Sequence, residues 1–106
     1  MTTRVAEIPH PTREEIDLAD VLHALSDPVR LKIVAALASG GDGQTCGSFD
    51  VPVTKSTCTH HFKILREAGV IQQRQVGAAR LNTLRRDDLE ARFPGLLATI
   101  LNAAPG

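Results

Sequence analysis

Apolar residues along the chain change period from block to block, and each block has its own start and stop signals. Leu18, Val21, Leu22 and Leu25 recur at helical spacing, with Glu15, Asp17 and Asp20 turned mostly away. Thr12 followed by Glu15 has the form of a capping box, so a first helix is predicted from Thr12 to near Ser26. Asp27 before Pro28 marks a second start: aspartate caps, and proline at the first helical position has no amide to lose. From there to the stop at Gly40 and Gly41, Val29, Leu31, Ile33, Val34, Leu37 and Ala38 are apolar on nearly every side, which places this helix at the centre of the core.

Residues 44–53, with glycine and proline nearby, leave room for a short helical turn. Thr54 caps the next predicted helix, which runs to Gly69. Cys58, His61, Phe62, Leu65 and Ala68 form its inward stripe, and Ser56, Thr59, His60, Lys63 and Arg66 lie on the other side. Beyond Gly69 the segments VIQQRQV and RLNTL flank Gly77, Ala78 and Ala79 and read as a two-stranded hairpin. Asp87 with Glu90 is expected to open a last helical region, interrupted or restarted at Pro94, with Phe93, Leu96, Leu97, Ile100 and Leu101 as its apolar stripe. The predicted order is α-α-(short α)-α-β-β-α, a mainly α fold with a small β-hairpin. Residues 12–106 form a single domain, and residues 1–11, with two prolines, form a flexible arm.

Charge changes this picture more than composition does. The chain of 106 residues has zero formal net charge, yet residues 51–86 carry seven basic groups (Lys55, Lys63, Arg66, Arg74, Arg80, Arg85, Arg86) against Glu67 alone. Residues 1–50 carry four basic groups against eight acidic ones. A basic segment of this kind is the footprint of a phosphate-binding face, and equally of a plain solvated one. No stretch approaches the roughly 18 consecutive apolar residues of a membrane span, and the first eleven residues have no secretory apolar core. A cytoplasmic location without membrane association is expected.

A capped core helix, a turn, a helix with a short-chained polar and basic free face, and then a basic hairpin together describe a winged helix-turn-helix. Ser56, Thr57, Thr59 and His60 are short enough to reach base edges. Lys55, Lys63 and Arg66 suit phosphates, and Arg74 and Arg80 extend the contact from the wing. The segments LSDPVRLKIVAAL and KSTCTHHFKILREAGVI, with the short wing after them, resemble the ArsR/SmtB family of bacterial winged-helix repressors across roughly residues 18–101. The resemblance implies a homodimer whose first and last helices make the interface, a recognition helix from Lys55 to Ala68, and an effector that weakens operator binding. Leu18, Leu22, Leu97, Ile100 and Leu101 are the candidate dimer residues.

The sequence departs from the family's metal sites. Cys46 stands alone where a cysteine pair would be expected, and no histidine follows His61. Adjacent His60 and His61 point about 100° apart on a helix and chelate one ion poorly. No metal and no cofactor are expected. Cys46 and Cys58 carry either inert thiols or a redox pair whose disulfide would strain the recognition helix. With no phosphate loop, paired carboxylates or positioned nucleophile, and with GGDG at 40–43 explained by helix termination, catalysis is not expected. The reading is a repressor binding double-stranded DNA at an inverted-repeat operator. Its rival is a winged-helix protein-interaction module, which does not require basic residues concentrated on the recognition helix and wing.

Overall fold

The structure, a computed structural model, describes residues 8–40, 55–77 and 79–103. A 3-10 turn, Arg13–Glu15, precedes α1 (Leu18–Ala24), α2 (Pro28–Gly40), α3 (Lys55–Glu67), β1 (Ile71–Val76), β2 (Ala79–Leu84), α4 (Arg86–Arg92) and α5 (Leu96–Ala103). This is the expected winged helix-turn-helix. The expected short turn within 44–53, the Thr54 cap and the arm through residue 7 lie outside the described residues.

The opening helix is shorter than its pattern implied. Thr12 and Glu15 do form the capping box: Glu15 N–H donates to Thr12 Oγ1 at 3.3 Å, and Thr12 N–H donates to Glu15 Oε1 at 2.9 Å. They cap only the 3-10 turn, because Ile16 turns extended (φ −69°, ψ 121°) and buries its side chain. Asp17 then caps α1 afresh, accepting from Asp20 N–H at 3.3 Å. The cap at Asp27 is as expected, with Oδ1 accepting from Val29 N–H at 2.8 Å and Arg30 N–H at 3.2 Å. The cap at Asp87 is not: Arg85 is the N-cap of α4 and makes no side-chain cap bond, while Asp87 and Asp88 sit in the first turn, where their charge is favourable at the positive end of the helix dipole. Pro94 and Gly95 separate α4 from α5.

Ile33, Val34 and Leu37 of α2, Phe62 and Leu65 of α3, Val21 of α1, and Val70 and Ile71 at the base of the hairpin are all essentially sealed from solvent and make one core with Ile16. α3 closes at Gly69 in a paired turn, with Val70 N–H donating to Leu65 O and Gly69 N–H to Arg66 O, each at 3.0 Å. Gly69 has φ +86°, and a Cβ there would lie 2.6 Å from Ile16 Cγ1. Glycine is therefore required both for the backbone and for the approach of the Ile16 segment. β1 and β2 pair antiparallel with Ile71 opposite Leu84, Gln73 opposite Asn82 and Gln75 opposite Arg80. Along that one face of the hairpin the pairs pass from apolar core, through buried amides, to an exposed tip.

Candidate nucleic-acid interface

α3 is amphipathic in the sense its sequence implied. Cys58, His61, Phe62, Leu65 and Ala68 are buried, and Thr57, Thr59, His60 and Lys63 are exposed. Lys55 and Ser56 occupy the first turn, but their side chains lie outside the described residues. Arg66 corrects the expectation. It was placed on the free face, yet it is 8% exposed, and its Nη1 donates to Gln73 Oε1 at 2.9 Å. Arg66 follows Phe62 by four positions, about 40° round the helix, so it sits at the edge of the inward stripe where the wing meets α3. It is withdrawn from the set of phosphate contacts.

The two wing arginines are both exposed, and strand alternation places them on opposite faces of the hairpin, since Arg74 pairs with Leu81 and Arg80 with Gln75. Arg80 Nε donates to Gln75 Oε1 at 3.2 Å, which stiffens the tip. A wing of this build can offer a cation on either side while its base stays fixed in the core.

The residues that hold these elements were not singled out from sequence. Arg30 is 7% exposed; its Nε donates to Ala24 O at 2.6 Å, its Nη2 to His23 O at 3.4 Å, and its Nη1 to His61 Nδ1 at 3.1 Å. Helices α1, α2 and α3 thus meet at one guanidinium. Burial and the Arg30 charge hold the His61 pKa below its ordinary value, against the opposing Asp27 carboxylate. Burial also acts on Asp27, but the two amide bonds and Arg30 outweigh it and hold that carboxyl low.

On the wing, Gln73 is the hub. Its Oε1 accepts from Arg66, its Nε2 donates to Asn82 Oδ1 at 2.8 Å, and its backbone N–H donates to His10 Nε2 at 2.9 Å. Arg85 Nη1 donates to Pro11 O at 2.8 Å, and Arg92 Nη2 to Ile16 O at 2.7 Å, so residues 10–16 form a strap over the wing base. Arg13 and Arg85 both grip Asp88, at 2.7 and 2.8 Å, and these bonds keep its carboxyl below the usual range. The only available signal was a polar residue two positions inward of Ile71 and of Leu84, at a strand position that alternation assigns to the core.

Of the candidate dimer residues, Leu18 and Leu22 are 44% and 46% exposed on α1. Ile100 and Leu101 are half-buried against the core, whereas Leu97 is buried within it and is corrected to a core residue of the protomer. Cys58 is buried within α3 and disulfide-bonded. Cys46 lies outside the described residues. No helix among the described residues is long and apolar enough to cross a membrane.

The helix-turn-helix domain family matches residues 25–74. The chain is 36% identical over 84 residues to the uncharacterized HTH-type transcriptional regulator YceK of Bacillus subtilis, covering 77% of this chain and 84% of that protein. It is 30% identical over 73 residues to the biofilm growth-associated repressor of Xylella fastidiosa, covering 64% of each. Among solved structures, an ArsR-like transcriptional regulator from Rhodococcus sp. RHA1 superposes with a TM-score of 0.60 at 26% identity, over 80% of this chain and 76% of that one.

Proposed function

Because the chain belongs to the ArsR-like family of winged helix-turn-helix transcriptional regulators, we propose that it is a repressor that binds an inverted-repeat operator as a homodimer and is released by an effector. The observation that carries the reading is the pairing of an exposed polar and basic α3 face with an arginine on each side of the wing. Thr57, Thr59 and His60, with Ser56, read base edges in the major groove. Lys63 and Lys55 bind phosphates, and Arg74 and Arg80 flank the wing's contact with the backbone or minor groove. Leu18, Leu22, Ile100 and Leu101 supply the dimer contact, whose two-fold axis the operator repeats. Support for repression comes from the Xylella relative, which is a repressor by name.

The effector chemistry proposed is thiol–disulfide exchange between Cys46 and Cys58, supported by the disulfide at Cys58 and by Cys46 being the other cysteine of the chain. A dithiol reductant would be oxidised as the two sulfurs gain the protons and electrons of two thiols. Equal DNA binding by parent and Cys46→Ser proteins after peroxide or dithiol treatment would remove this part of the proposal. The main test is binding to the protein's own upstream promoter fragment across a salt series, beside a variant with Lys55, Lys63 and Arg74 changed to alanine. Selective binding with a salt slope that shrinks in the variant is expected. Binding no better than to random DNA at any salt would make the protein-interaction module the better account.

A further inference from the structure

The wing joins α3 through a buried polar chain, where an apolar contact would have been the simpler choice. Gln73 uses its side-chain oxygen on Arg66, its side-chain amide on Asn82 and its backbone N–H on His10. Arg66 Nε has no partner among the described residues and Glu67 is 3.9 Å from its Nη2, so the Gln73 bond is the short polar tie that Arg66 makes. Buried polar contacts of this sort fix geometry more narrowly than aliphatic packing, because only one arrangement satisfies them.

We propose that Arg66, Gln73 and Asn82, closed by His10, are positioning residues that set the wing against the recognition helix, and that protonation of His10 releases the wing. The proposal rests on the DNA-binding reading only for its consequence at the operator. A neutral imidazole can accept from the Gln73 N–H, whereas an imidazolium has no lone pair to offer and would face that amide donor to donor. Two cations face the ring and deepen the effect, Arg66 from α3 and Arg85 from the β2–α4 junction, while its hydrogen bond to the Ile8 backbone works in the opposite direction. Burial is the main reason that the His10 pKa lies below the ordinary 6.5. Arg85, which holds Pro11 O, keeps the ring at the strand while it is neutral.

The test follows the Gln73 amide by NMR in the full chain without DNA, from about pH 7.5 to about pH 5. In parallel, promoter-fragment affinity is measured at constant ionic strength for the parent and for His10→Gln, whose amide oxygen accepts the same bond and does not titrate. The Gln73 amide is expected to shift and lose exchange protection with the His10 titration, below pH 6.5. Once the Gln73 amide reports that His10 is protonated, the parent should lose about fivefold in affinity relative to His10→Gln at the same pH, the loss of one hydrogen bond. Comparing the two proteins cancels every contribution that is common to both. A Gln73 amide that ignores His10, or identical pH dependence of binding in the two proteins, overturns the proposal. If the amide follows His10 but neither protein selects its promoter at any pH, the wing release stands and the repressor reading fails.

Discussion

Arg30 shows how much of this fold rests on single polar side chains. Its guanidinium satisfies two carbonyls at the C-terminal end of α1 and supports His61 of α3. Arg30→Ala removes the guanidinium donor from Ala24 O and His61 Nδ1, whereas His23 O keeps the Ser26 hydroxyl and amide, and the loss should lower the unfolding free energy by about 2–3 kcal/mol in urea titration. Arg30→Lys should recover little, because an ammonium cannot present the same fork. Gly69 is the other fixed point. An alanine there meets a left-handed backbone and the Ile16 side chain together, so Gly69→Ala should cost about 2–4 kcal/mol in the same measurement.

Among the elements, α3 is where sequence and structure can be compared most closely. Its inward stripe was legible because five side chains follow one period, and the caps at Asp27 and Gly69 were legible because they depend on their nearest neighbours. Arg66 was not, since its burial depends on Gln73, whose own position is set by hairpin register. The split after Glu15 was missed for a similar reason: Ile16 leaves the helix to fill a space beside Gly69 that only the folded chain creates. This correction is measurable. Lys63→Ala should reduce the slope of log affinity against log salt by about 1. Arg66→Ala should leave the slope nearly unchanged while lowering stability, whereas two equal reductions would return Arg66 to the phosphate-binding set.

For the molecule as a whole, two histidines give a pH dependence of definite sign. His10 and His61 both titrate below 6.5 when folded, so the unfolded chain takes up protons first as pH falls. Stability is full above pH 6.5 and declines below it towards the folded values, whereas the depressed carboxyls of Asp27 and Asp88 keep their contribution until pH falls below 3.8. Urea midpoints should therefore drop between about pH 7.5 and about pH 5.5, and His61→Gln should flatten that drop. At the level of assembly, charging the exposed α1 face with Leu18→Glu and Leu22→Glu should give a monomer mass in sedimentation and at least about a tenfold loss of operator affinity, without unfolding. The strap over the wing has one more effect. A two-stranded ribbon carries unpaired amides along its outer edge, a template on which a strand from another molecule can add, and the His10 ring already occupies the Gln73 position of that edge. An incoming strand would have to displace the protein's own imidazole first, so the residue that steadies the wing also guards the ribbon against aggregation.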